Sequence, residues 1–191
     1  EEPNVAVFLP GKTLHSSVVS APTPTIDLDT CDGCGQCSRF CRFNALACIG
    51  GHAMSFPELC HGCGGCTRIC PRNAISESAH PLGAVTTTES GSITVVTGKL
   101  DVGKPMAPPV IREVLAQAPD DGLTIIDCPP GTGCPMVAAV APADFVLLVT
   151  EPTPFGLHDL QLAVETVRQL DKPFGVVVNR SDVGDAAVSE Y

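Results

Sequence analysis

Positive charge is scarce in this chain of 191 residues, with 11 Lys plus Arg against 21 Asp plus Glu and a formal net charge of −10. No basic stripe is available to neutralise phosphates, which excludes nucleic acid and anionic membrane surfaces as expected partners and favours a cationic or small-molecule one. Long apolar runs are missing too. The best stretch, Met136 to Val149, is interrupted by Pro142 and Asp144, and falls short of the about 18–20 apolar residues of a spanning helix. The opening "EEPN" has neither a methionine nor a charged-then-apolar leader. The expectation is therefore a cytoplasmic protein without a transmembrane segment, kept out of oxidising compartments, with both ends cut from something longer. At 44% hydrophobic and 17% charged, the chain has material for one ordinary core and a small satellite module.

Cysteine, by contrast, is abundant, at 11 residues. "CDGCGQCSRFC" (31–41) and "CHGCGGCTRIC" (60–70) carry the same comb of four, 29 positions apart. The same offset maps Gly33 onto Gly62, Arg39 onto Arg68, Asn44 onto Asn73 and Ala45 onto Ala74, the mark of an internal duplication. A short alternating stretch precedes each comb ("TIDLDT", "MSFPEL") and reads as a strand, and each fourth cysteine opens a turn ending in Leu46 or Ile75. A unit this small buries too little apolar area to stand alone and needs disulfides or metals. A disulfide framework requires an oxidising compartment and gains little from closing C-x2-C loops. Structural zinc uses pairs of C-x2-4-C knuckles and leaves no place for a third cysteine at a further x2 step. The run C-x2-C-x2-C-x3-C, followed by Pro71 after the second comb, is the iron–sulfur pattern of bacterial ferredoxins.

Residues 26–78 thus resemble a two-cluster ferredoxin. The resemblance implies two [4Fe–4S] clusters, one bound by Cys31, Cys34, Cys37 and Cys70, the other by Cys60, Cys63, Cys66 and Cys41. The first comb departs from the pattern at Arg42, where proline often stands; that position shapes a turn and binds no iron. Gly33, Gly35, Gly62, Gly64 and Gly65 suit backbone amides folding toward sulfur. The flanking segments "SAPTPT" and "SAHPLGA", rich in proline and small residues, read as linkers of a docked module able to shift.

The remainder alternates between strand and helix. Residues 84–97 read as a hairpin turned at Glu89–Ser92. "LTIID" (123–127), "FVLLVT" (145–150) and "FGVVVN" (174–179) are short β-branched runs of the kind found in parallel strands covered on both faces. Leu157, Leu160, Val164, Val167 and Leu170 recur at helical spacing behind Thr153 as N-cap and Pro154 at the first helical position, and Pro108-Pro109 opens a helix bearing Ile111, Val114, Leu115 and Ala118. The order predicts an α/β fold with a doubly wound parallel sheet, whose loops past the strand carboxyl ends carry function. Asp127 in "TIIDCPPGTGCP" stands at such an end, where a carboxylate can hold Mg²⁺ through water. Cys128, Cys134 and Cys48 read as small buried residues. The five histidines, His15, His52, His61, His80 and His158, share no evident metal constellation.

Taken with "EEPN", "GKLDVGKPMAPPVIREVL" (98–115), "VTEPTPFGLHDL" (149–160) and "VVVNRSD" (176–182), this segment resembles the MinD-superfamily P-loop ATPases that carry an inserted ferredoxin domain. The resemblance implies a nucleotide-binding α/β domain over 1–25 and 79–191 with the ferredoxin inserted at 26–78. Asp127 would be the Walker B carboxylate, Pro129, Pro130 and Gly131 the turn sensing the γ-phosphate, Asn179 and Arg180 would reach adenine, and Glu151-Pro152 would lie beside the nucleoside. Glu2-Pro3-Asn4 would belong to a switch segment. No glycine-rich phosphate loop is present; Gly11-Lys12-Thr13 follows the apolar "VFLP" and falls on the wrong side of "EEPN". The implied function is an iron–sulfur ATPase, binding Mg-ATP in the intact protein and coupling nucleotide state to electron transfer with a redox partner, as a homodimer or related heterodimer. The alternatives are a cluster carrier or assembly ATPase, and a plain ferredoxin-type electron carrier. Assembly ATPases of the superfamily bind a labile cluster through a separate C-x2-C, and none occurs outside the combs.

Overall fold

The computed structural model describes residues 3–119, 122–184 and 187–191, and divides into two compact units, Glu1–Ala118 and Pro119–Tyr191. Pro3 and Asn4 lead into a single turn, α1 (Val5–Phe8); Glu2 lies outside the described residues. Gly11-Lys12-Thr13 opens a strand, β1 (Lys12–Ile26), and not the helix that a phosphate loop would feed.

The segment between β1 and the next long strand is built twice. Its first half holds α2 (Gln36–Phe40) and β2 (Leu46–Ile49); its second holds β3 (His52–Ser55), a 3₁₀ turn (Pro57–Leu59) and α3 (Gly65–Ile69), and runs into β4 (Ile75–Ser90). The 29-residue offset is obeyed in the pairing itself: Ile26 stands opposite Ile75, and Leu46 opposite Ser55. Asp27 N–H donates to Ala74 C=O at 2.8 Å, and Phe56 N–H donates to Ala45 C=O at 2.8 Å. Of the stretches expected as strands before the combs, only Thr25-Ile26 and Met54-Ser55 are strand; residues 28–30 are turn and Pro57–Leu59 a 3₁₀ turn. Beyond Ile26 the chain turns because the Asp27 carboxylate accepts from Asp29 N–H (3.0 Å) and from Thr30 Oγ1–H (2.6 Å). These bonds, the Thr30 hydroxyl foremost, hold the Asp27 pKa below the usual carboxylate range.

β1 and β4 pair antiparallel along their whole length, from Lys12↔Glu89 to Ile26↔Ile75, and β5 (Ile93–Leu100) completes a sheet of order β1-β4-β5. The hairpin expected over 84–97 is the β4–β5 pair. The two proline-rich linkers, however, are strand, which corrects the expectation of a module free to shift. Pro22 and Pro24 are two residues apart on the edge strand β1, so both turn the side without an N–H the same way, and Pro81 sits at the bulge between Val19 and Ser20. α4 (Pro108–Ala116) packs on this sheet, as expected from its Pro-Pro start. A Cβ at Gly98 would lie 2.6 Å from Val114 Cγ2 and 2.8 Å from Val110 Cγ1, so glycine there sets the close approach of helix to sheet. Val19, Ala21, Leu82, Val85 and Val110 form the core between them.

In the second unit, α5 (Cys134–Val140), β6 (Val146–Thr150), α6 (Pro154–Gln169), β7 (Phe174–Val178) and α7 (Ala187–Glu190) follow in order. β6 and β7 pair parallel across the α6 crossover. α6 begins where the sequence places it: Thr153 Oγ1 accepts from Gly156 N–H at 3.0 Å, and Leu160, Val164 and Val167 are buried. The expected doubly wound parallel sheet is only this parallel pair among the described residues, and the larger sheet is antiparallel. Leu123–Asp127 forms no strand, because a strand needs a ladder partner and no described residue supplies one; Leu123 and Ile125 are 89% and 84% exposed.

Candidate metal centre

The two combs end identically. α2 and α3 start at glycines in the left-handed region, Gly35 (φ 70°) and Gly64 (φ 68°), and stop at Cys41 and Cys70, which are extended with φ near −70°. Each fourth cysteine is thereby carried away from its own comb. Asn44 (φ 54°) and Asn73 (φ 52°) then turn the chain back, which explains why asparagine is repeated there. The result is an exchange. One cavity is lined by Cys31, Cys34, Cys37 and Cys70, the other by Cys41, Cys60, Cys63 and Cys66.

Backbone amides point at three of these sulfurs: Ala53 N–H at Cys31 Sγ (3.4 Å), Gly62 N–H at Cys60 Sγ (3.3 Å) and Ala74 N–H at Cys70 Sγ (3.3 Å). Burial pushes the Cys66 thiol up to about 11 and raises Cys37 and Cys60 in the same direction. Iron would displace protons from these thiols on binding. Among the described residues no three His, Cys, Asp or Glu side chains converge on a single ion. Thiols grouped in fours around a space, rather than on a point, suit a polynuclear cluster, and the donor set and amide bonds fit it. The Cys41 cavity is about 500 Å³ and the Cys70 cavity about 20 Å³.

Each cavity is lined by a contact that the cysteine pattern alone did not reveal. Over the first, Arg72 Nε donates to Asp32 Oδ2 at 2.8 Å, and this bond foremost holds the Asp32 pKa below the usual carboxylate range. Over the second, Phe43 stacks on His61 with centroids 3.7 Å apart and planes at 11°. The 29-residue offset maps Asp32 onto His61 and Phe43 onto Arg72, so ion pair and stack are the same contact in the two halves. Lys104 Nζ reaches Glu58 Oε2 (2.9 Å) and His80 Nε2 (2.8 Å), tying the loop after β5 to the turn before Cys60. Cys48 is half-buried and donates its thiol to Gly33 C=O at 3.0 Å. Cys128 and Cys134 are exposed, contrary to the expectation of burial, since both lie in or beside the Pro- and Gly-rich stretch 128–135.

Gly33 is the tightest point of the first loop. It has φ 68°, and a Cβ there would run into the Gly51 carbonyl oxygen. Gly33→Ala is expected to abolish iron binding at the Cys31 cavity, because the left-handed strain of about 1–2 kcal/mol adds to a backbone clash. Gly91→Ala, with φ 61° in open space at the β4–β5 turn, should keep all the iron. Iron analysis of the two variants checks this, and equal retention would refute it.

The residues expected to serve a nucleotide fall into two groups. Glu151, Pro152, Asn179 and Arg180 meet at the carboxyl ends of β6 and β7: Arg180 Nη1 lies 3.6 Å from Glu151 Oε1, and Asn179 N–H donates to Thr150 C=O at 2.8 Å. Asp127, Pro129, Pro130 and Gly131 lie in the irregular segment before α5, and no hydrogen bond or ion pair among the described residues joins them to the first group.

Residues 24–47 and 55–76 match the family model of the 4Fe-4S binding domain. The duplicated segment is thus a ferredoxin-type 4Fe-4S region, which supports cluster binding there. Two proteins of Methanocaldococcus jannaschii are similar to it. Uncharacterized protein MJ0578 is 33% identical over 159 residues, covering 82% of this chain and 56% of the relative. Uncharacterized protein MJ0579 is 32% identical over 96 residues, 49% of this chain and 36% of the relative. The chain thus spans about half or less of the length of either relative. Among the described residues no helix is long and apolar enough to cross a membrane.

Proposed function

We propose that the chain carries electrons through two [4Fe–4S] clusters, one held by Cys31, Cys34, Cys37 and Cys70, the other by Cys60, Cys63, Cys66 and Cys41, and passes them to a redox partner. The observation that carries this reading is the sorting of eight thiols into two cavities of four, each drawing three from one comb and one from the other. When bound, each cluster supplies a one-electron couple. The chain's own residues do the rest. The amides of Ala53, Gly62 and Ala74 donate toward sulfur and stabilise the negative charge that reduction adds. The Asp32–Arg72 and Phe43–His61 contacts bridge the two combs over each cavity. Four protein thiolates per cluster favour keeping a cluster over giving it away, which sets electron carriage above cluster delivery. The protein purified without oxygen should contain about eight irons and eight acid-labile sulfides. Zinc without sulfide would end the proposal.

A nucleotide-linked role in a longer, MinD-like protein is favoured by one observation, the gathering of Glu151, Pro152, Asn179 and Arg180 at the carboxyl ends of a parallel β–α–β unit. In that protein, a homodimer or related heterodimer, residues 1–25 and 79–191 would form the nucleotide domain, Asp127 would hold Mg²⁺ of ATP, and Pro129-Pro130-Gly131 would face the terminal phosphate. Asp127→Asn in the longer protein should then lower Mg-dependent ATP hydrolysis by at least about 100-fold, as loss of a metal-holding carboxylate does, with the cluster spectrum unchanged. Undiminished hydrolysis would remove the ATPase reading and leave the electron carrier standing.

A further inference from the structure

The two cavities are related by the duplication, yet their surroundings are not alike. The Asp32–Arg72 pair over the Cys70 cavity cancels its own charge. The equivalent contact over the Cys41 cavity is aromatic, and Phe43 remains 41% exposed beside Phe40 at 45%. Arg39 and Arg42, both exposed, line this same cavity, against a single acidic lining residue, Glu77. In a chain with nearly twice as many acids as bases, a local excess of cations around an exposed aromatic pair marks a surface for an anionic counterpart. Arg39 has a second task, donating from Nη2 to Cys34 C=O at 3.1 Å, whereas no hydrogen bond or ion pair engages Arg42 among the described residues.

We propose that electrons enter and leave through the face over Cys41, Cys60, Cys63 and Cys66, and that the partner is a redox protein presenting an acidic surface to Arg42, Arg39 and the Phe43–His61 stack. Phe43 and His61 form the contact centre, and Arg42 supplies attraction and orientation. The acidic remainder of the chain repels the same partner elsewhere, which restricts docking to this face. The proposal rests on the two-cluster reading.

Small charged oxidants stand in for the partner. The chain is reduced with dithionite, freed of excess reductant, and mixed at low salt with the monoanion of cobalt(III) ethylenediaminetetraacetate or with the trication hexaamminecobalt(III). One electron leaves the reduced protein and converts Co(III) to Co(II). Arg42→Gln should slow the anionic oxidant about threefold or more and Arg42→Glu further still, with the difference vanishing at high salt, where the screening length shrinks to roughly 3 Å. Neither variant should slow the cation, and Arg112→Gln on α4 should leave both rates within about 1.5-fold. Calorimetric titration of the oxidised protein with the redox-inert hexacyanocobaltate(III) anion gives a reading independent of electron transfer, and its binding should weaken with Arg42→Gln and not with Arg112→Gln. Equal responses of the Arg42 and Arg112 variants, or a faster anionic reaction on removing Arg42, would overturn the proposal. Iron and sulfide contents of each sample keep the two levels apart: a preparation without clusters refutes the two-cluster reading, while a full complement with no Arg42 effect refutes the port alone.

Discussion

Cys70→Ala should strip or degrade the cluster bound by the first comb, and Cys41→Ala the cluster bound by the second. The reason is where the helices stop. α2 and α3 end at Cys41 and Cys70, whose extended backbone takes each side chain out of its own comb and into the cavity of the other. Each cluster keeps three of four thiolates, and iron is expected to fall from about eight to between four and seven per chain. The sites are told apart by reference variants: Cys34→Ala damages the first cavity and Cys63→Ala the second. The reduced-state magnetic resonance spectrum of Cys70→Ala should match that of Cys34→Ala, and Cys41→Ala should match Cys63→Ala. The opposite matching would mean that each comb holds its own cluster, and the ligand sets would have to be redrawn.

Cysteine spacing was readable because ligand chemistry fixes it, and the same 29-residue offset that exposes the combs also aligns Asn44 with Asn73 and Ala45 with Ala74. The structure supplies their reasons: a left-handed turn at both asparagines, and alanines buried to 2% and 3% exposure under the paired strands. α6 was equally readable, since Thr153-Pro154 and the apolar spacing behind them are local signals. The ribbon formed by β1 and β4 was not. "SAPTPT" and "SAHPLGA" have the composition of linkers, and only the pairing partner, 57 residues away at Pro22↔Ala79, shows that prolines at period two leave the ladder intact. "LTIID" failed for the converse reason: a β-branched run is strand only if another strand lies beside it. The Phe43–His61 and Asp32–Arg72 contacts were within reach of the sequence, because applying the offset to the non-cysteine positions pairs them. Weighing His61 only as a metal ligand concealed that.

Removing iron under reducing conditions should unfold the duplicated segment and leave the three-stranded sheet in place. The segment's core consists of Cys37, Leu46, Ala53, Cys66 and Ile75, with Ile26, Cys31, Cys41 and Cys70 against it, so more than half of its members are cysteines. Its helices are five residues long and β2 and β3 four each, lengths that do not persist alone in water. The binding free energy of the metal is therefore the folding free energy of this part. The sheet is built differently. Val19, Ala21, Leu82, Val85 and Val110 are hydrocarbon throughout, Val85 is fully buried, and burying each Val or Leu contributes roughly 1.5–3 kcal/mol. Hydrogen exchange followed by mass spectrometry separates the two. After iron removal, amides within 31–73 should exchange at least about 100-fold faster, which corresponds to roughly 2.7 kcal/mol of lost protection, while those of β5 and α4 should be unchanged. The ribbon ends near Ile26 and Ile75 should fall between, since they pair with each other but pack on the cysteine core. Uniform loss across β5 and α4 would show that the clusters hold the whole unit together, and unchanged protection in 31–73 would show that the protein part is stable without them. Either result would displace the view that these eight thiols exist to make a fold out of a segment too small to have one.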